Sequence, residues 1–127
     1  MGLMSNEILF SSPVTKPALK DINFYSLDLI NTYLNEEQKR AVVGVLRAEC
    51  RPKPYIIFGP PGTGKTVTIV EAILQVFHLM PESRIIVCTS ANSAIDLIAE
   101  KLLESERISA EDMVRISAAY RQFKSIV

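Results

Sequence analysis

A glycine-rich loop between an apolar run and an apolar helical pattern constrains the fold of this chain more than any other feature. The run Tyr55–Phe58 has no polar alternation, which is typical of a strand covered on both faces. Residues 66–79 carry apolar side chains on more than one side of a predicted helix, so we expect that helix to be buried between layers. The loop between these segments has the sequence Gly59, Pro60, Pro61, Gly62, Thr63, Gly64, Lys65 and Thr66.

The residue types of this loop suit the binding of polyphosphate. Gly59, Gly62 and Gly64 allow a tight turn and a close approach of backbone amides to an anion, and the following helix adds its positive amino-terminal end. Lys65 can place its ammonium on the terminal phosphates, and Thr66 can offer its hydroxyl to Mg²⁺. The two prolines stiffen the loop. The alternative is that the glycines only form a tight turn between a strand and a helix.

The rest of the chain predicts alternating helices and strands. Asn35 followed by Gln38 is a capping-box pattern, which predicts a helix from Asn35 to about Ala48. A further helix is predicted from Ser93 to about Ser105. Strands are predicted at 84–89 and, more weakly, at 7–10 and 113–116. This order indicates the α/β class, with a parallel sheet and flanking helices.

Composition limits the other chemistry that the chain can perform. Fourteen basic residues balance fourteen acidic ones, so a nucleic-acid partner is not indicated by charge. Cys50, Cys88 and the single histidine His78 stand apart, which argues against a zinc site or a thiol–imidazole pair. Cys88 lies in an apolar run and is predicted to be buried. No signal peptide or membrane span is recognisable, so we expect an intracellular, cytoplasmic protein.

The loop and the segment upstream of it together resemble a known family. The loop, preceded by Leu34–Gln38 and by Ala41-Val42, resembles superfamily 1 RNA helicases of the nonsense-mediated-decay type. The resemblance implies a RecA-like P-loop NTPase fold with ATP and Mg²⁺ as cofactors. It also implies that Gln38 recognises the adenine edge, because a side-chain amide can donate to and accept from the base. The alternative is that Gln38 serves only as a helix cap.

A second motif of the same family follows the predicted strand at 84–89. The run Val87–Asp96 is similar to motif Ia, which contacts the backbone of single-stranded nucleic acid in that family. The family run has alanine, proline, serine and asparagine where this chain has Thr89, Ser90, Ala91 and Asn92. The resemblance implies nucleic-acid contacts from Ser90, Ala91, Asn92 and Asp96. The alternative is an ordinary turn, with Asn92 or Ser93 capping the next helix.

The resemblance extends over most of the chain and is greatest to the Armitage-like branch, whose helicases act in small-RNA silencing. It implies a connector at 1–33 and the amino-terminal part of a first motor domain at 34–127. The family's apolar run ending in Asp-Glu does not follow Ile86, and Glu111-Asp112 has the reverse order. We therefore expect an incomplete motor that binds ATP through Lys65 and Thr66 without hydrolysing it, and that binds single-stranded RNA weakly. Silencing proteins are the implied partners. The competing interpretation is another P-loop ATPase or a nucleotide-binding regulatory module.

Overall fold

The computed structural model describes residues 19–116. This part contains three α-helices, α1 (Glu36–Arg47), α2 (Lys65–Leu79) and α3 (Asn92–Glu104), followed by a short 3-10 helix at Ala110–Asp112. Each predicted helix is confirmed to within about one residue at its start. The predicted strand at 7–10 lies outside the described residues. None of the helices in this part of the chain is long and apolar enough to cross a membrane.

Helix α1 begins where the capping-box pattern predicts. The Asn35 side chain accepts a hydrogen bond from the backbone amide of Gln38 at 2.9 Å, and the Gln38 side chain accepts one from the amide of Asn35 at 2.9 Å. These reciprocal bonds satisfy two amides that a helix start leaves without partners. On its inner face, Val42 and Leu46 are fully buried. The cap and the apolar stripe together fix both the start and the orientation of α1.

Helix α2 lies between the other two helices. One cluster packs it against α1 and consists of Leu34, Val42, Leu46 and Ala72. A second cluster packs it against α3 and the following segment, and consists of Val70, Leu74, Ile98, Leu102 and Ile108. The predicted burial of α2 is therefore confirmed. Three polar residues on the same helix are also almost completely buried, namely Thr68, Glu71 and Gln75.

The predicted strands at 55–58, 84–89 and 113–116 are not strands in the structure. No backbone hydrogen bond joins these segments to one another within residues 19–116. The side chain of Phe58 is 93% exposed and that of Ile86 is 87% exposed. A parallel strand needs a neighbour along its edge and cover on both faces, and the described residues supply neither to these segments. For the same reason Cys88, predicted to be buried, is exposed.

The start of α3 differs from the interpretation in which Asn92 or Ser93 caps this helix. Its cap residue is Ala91, and no side chain caps the helix start. The interpretation in which Asn92 or Ser93 acts as a cap is therefore wrong. Both residues lie inside the first turn instead, where the Asn92 side chain is available for contacts with other segments.

Candidate nucleotide-binding site

The glycine-rich loop presents a row of backbone amides at the start of α2. Gly62 and Gly64 have positive φ angles of 81° and 79°, a conformation that side chains with a Cβ atom rarely adopt. Gly64 is the cap residue of α2, and no side chain caps this helix. Within the described part of the chain, none of the backbone amides from Gly62 to Val67 donates a hydrogen bond. A helix start with several free amides is a favourable site for an anion.

Lys65 lies against the loop that precedes it. Its Nζ atom donates to the backbone carbonyl of Gly59 at 2.7 Å and to that of Pro60 at 2.6 Å. The hydroxyl of Thr63 donates to the same Pro60 carbonyl at 2.8 Å. These bonds hold the turn closed and keep the ammonium beside the free amides. The positive charge and the amide donors are therefore together at one place, as binding of a polyphosphate requires.

Gln38 joins α1 to the loop. Its Nε2 atom donates to the backbone carbonyl of Thr63 at 3.2 Å, while its Oε1 atom accepts the capping bond from Asn35. A side-chain amide has two donor hydrogens and two acceptor lone pairs, so one of each remains for a base. The cap and the proposed base contact are therefore compatible. A Cβ atom on Gly64 would lie 2.5 Å from Gln38 Nε2, so glycine is needed there for this approach as well.

Thr66 is the residue of the loop that suits a magnesium ion bound with a nucleotide. It lies in the first turn of α2, next to Lys65, and its hydroxyl makes no hydrogen bond to another described residue. The described residues contain no group of three or more histidine, cysteine or acidic side chains that could hold a metal. Asp112 is engaged elsewhere, because its carboxylate accepts from the amide and hydroxyl of Ser109. These two bonds also lower the pKa of Asp112, the backbone bond more than the hydroxyl.

The predicted nucleic-acid residues lie at the start of α3. Asn92 and Asp96 are one turn apart, and both contact Arg115. The Arg115 guanidinium lies 3.1 Å from Asp96 Oδ1 and 3.4 Å from Asn92 Oδ1. Ser90 and Ala91 are exposed, next to these residues. The Asn92 and Asp96 side chains contact Arg115, whereas Gln38 contacts the glycine-rich loop, so the structure holds two groups of predicted site residues.

Two features of the structure, one at the start of α3 and one on α2, were not predicted from the sequence. Arg115 lies in a predicted strand, and nothing in its local pattern indicates a contact with Asn92 and Asp96. Glu71 and Gln75 lie in a helix that is predicted to be apolar and buried, and a glutamate and a glutamine one turn apart in such a helix are a recognisable signal. A buried carboxylate needs hydrogen-bond partners, so its presence predicts nearby donors.

The comparisons with known proteins find one family model and several similar proteins. A family model described as an AAA domain matches residues 33–126. Human "RNA helicase Mov10l1" is 54% identical, over 80% of this chain and 8% of that protein. "Probable RNA helicase armi" of Drosophila melanogaster is 41% identical, over 96% of this chain and 11% of that protein. The yeast (Saccharomyces cerevisiae) "DNA polymerase alpha-associated DNA helicase A" is 41% identical, over 58% of this chain.

The relatives also define how much of a longer protein this chain represents. The chain spans about a tenth of the length of the curated relatives that it matches. No solved structure matches it. The family model nevertheless includes both Gln38 and the whole glycine-rich loop, and the relatives are named as helicases. The chain therefore belongs to the AAA domain family and, within it, to the Armitage-like branch of superfamily 1 RNA helicases.

Proposed function

We propose that this chain binds ATP, with its phosphates at Gly59–Thr66 and its adenine at Gln38. The observation that carries the proposal is the hydrogen bond from Gln38 Nε2 to the Thr63 carbonyl. This bond places an amide with spare donor and acceptor capacity against a loop that already holds free amides and the Lys65 ammonium. The Thr66 hydroxyl would hold an Mg²⁺ ion bound with the nucleotide. Lys65 neutralises phosphate charge, which phosphoryl transfer needs together with correct positioning of the reacting groups.

The wider function follows from the family. Residues 34–127 act as the amino-terminal part of a first motor domain, after a connector at 1–33, in an ATP-dependent RNA helicase. In that motor the exposed apolar segments 55–58 and 84–89 become strands of a parallel sheet, which supplies their edge neighbours, and helices cover the faces of that sheet. Ser90, Ala91, Asn92 and Asp96 contact single-stranded RNA, in a cytoplasmic protein that works with small-RNA silencing factors. The similarity to the Mov10 and Armitage proteins favours this function over another P-loop ATPase.

Base preference is the most direct test of the proposal. Calorimetry should show that ATP binds more tightly than GTP to the parent chain, and that Gln38→Ala removes most of this preference. Gln38→Ala also breaks the capping box, so Asn35→Ala is the matched control: it removes the other hydrogen bond of the same box, a loss typically worth about 1 kcal/mol, and keeps the base-reading amide. Asn35→Ala should retain the preference for ATP. Equal affinity of the parent for the two nucleotides would refute adenine recognition by Gln38.

A further inference from the structure

Helix α2 contains a glutamate whose carboxylate is completely buried. Glu71 is 1% exposed, and each of its two oxygens accepts one backbone hydrogen bond. Oε1 accepts from the amide of Ile30 at 3.0 Å, and Oε2 accepts from the amide of Asn31 at 2.9 Å. Because this carboxylate is buried and both of its oxygens accept hydrogen bonds, it forms a fixed link between α2 and the segment that contains Ile30 and Asn31.

Gln75, one turn further along α2, strengthens the same link. It is 2% exposed, and its Nε2 atom donates to the Glu71 carboxylate at 2.9 Å and to the backbone carbonyl of Asp28 at 2.8 Å. Residues 28–31 have no helix or strand of their own. Their position is therefore set by contacts to other elements, and these side chains of α2 provide hydrogen bonds at both ends of the segment.

The linked segment leads directly to the residue that reads the base. The Asn31 side chain accepts from the amide of Tyr33 at 3.0 Å, and the next residue, Leu34, is buried against α1 and α2. Asn35 then caps α1, and Gln38 lies in the first turn of that helix. A closed path of contacts thus runs from the loop along α2, through Glu71, to the start of α1 and back through Gln38 to Thr63.

We infer that Glu71 is a positioning residue for base recognition, one that holds Gln38 in register with the glycine-rich loop. The inference rests on the proposed function and extends it to a residue that touches neither nucleotide nor metal. The rise of an α-helix from Lys65 to Glu71 is about 9 Å, so the carboxylate acts at a distance from the phosphate site. Phosphate binding by the loop itself does not depend on the path through Glu71, whereas the placement of Gln38 does.

The substitution Glu71→Gln tests this role with little change in volume. A glutamine keeps one carbonyl oxygen, but its NH₂ group faces one of the two backbone amides, which then loses its acceptor. We expect calorimetry to show tripolyphosphate affinity within about twofold of the parent, and a loss of about fivefold or more in the preference for ATP over GTP, the effect of roughly one hydrogen bond. In a Gln38→Ala background, Glu71→Gln should change the base preference no further.

The controls separate positioning from a purely structural role. Glu100→Gln makes the same substitution at an exposed position on α3 and should leave the affinities for ATP, GTP and tripolyphosphate unchanged. If circular dichroism shows that Glu71→Gln does not fold, Gln75→Met is the second variant. It removes the bonds from Gln75 to Glu71 and to the Asp28 carbonyl, keeps the Glu71 carboxylate, and should reduce the base preference in the same direction. An unchanged base preference in a folded variant overturns the inference. So does an equal loss of ATP and tripolyphosphate affinity. A parent chain that binds neither ligand refutes the proposed function as well.

Discussion

The substitution Lys65→Ala removes the ammonium that the structure places against the glycine-rich loop. The two bonds that it loses go to the carbonyls of Gly59 and Pro60, and Pro60 lies at the surface, where water can replace the ammonium. The free energy of unfolding should therefore change little. Binding is affected more, because a hydrogen bond to a charged group contributes about 1.5–3 kcal/mol. This corresponds to a loss of about 10- to 150-fold in ATP affinity.

Isothermal titration calorimetry with Mg²⁺ present measures this loss. Lys101→Ala is the matched control, since it removes one lysine from the last turn of α3, away from the loop. Circular dichroism should show the same helix content in the parent and in both variants. Equal ATP affinity of Lys65→Ala and the parent would refute the assignment of the loop as a phosphate site. An equal loss in Lys101→Ala would show that the effect comes from net charge and not from position.

Three further expectations follow from the same structure. The 127 residues should not hydrolyse ATP when single-stranded RNA is present, because they contain no apolar run ending in Asp-Glu and Asp112 is engaged as a cap. Turnover near 1 per second in a phosphate-release assay, which is the low end for enzymes, would contradict this expectation. Single-stranded RNA should bind with a dissociation constant above roughly 100 μM at physiological salt, because the chain has no net positive charge. Submicromolar binding in a fluorescence anisotropy experiment would contradict this expectation. Leu46→Ala should lower the free energy of unfolding by about 2–5 kcal/mol, because this side chain of α1 is fully buried against α2. A change below about 0.5 kcal/mol in a denaturation experiment would contradict the described core.

Local signals were sufficient to predict the helices and the loop. The Asn35–Gln38 capping box is a short-range pattern, and it predicts both the start of α1 to within one residue and Asn35 as its cap. The glycines of the loop were predicted from the conformations that a phosphate-binding turn needs, and Gly62 and Gly64 have positive φ angles. In each case the interactions that decide the structure lie within a few residues of one another, so the sequence pattern contains them.

Long-range features could not be predicted in the same way. An apolar run such as 55–58 indicates that cover is needed, but not which part of a protein supplies it, and Phe58 is exposed here. The backbone partners of Glu71 lie forty and forty-one residues away along the chain, and the side-chain partners Asn92 and Asp96 of Arg115 lie twenty-three and nineteen residues away. The burial of a polar side chain predicts that partners exist, whereas only the packing of α2 identifies them.

Amide chemical shifts during a titration with Mg²⁺ and ATP show where on the chain the nucleotide binds. We propose that the phosphates lie against the free amides from Gly62 to Val67 and that the adenine lies against the side-chain amide of Gln38. We expect the largest shift changes in two-dimensional NMR spectra at those groups, with little change at the start of α3, where Asn92 and Asp96 lie. Titration with tripolyphosphate should reproduce the changes in the loop but not the change at the Gln38 side chain. An absence of changes in the loop, or their concentration at α3, would contradict the account.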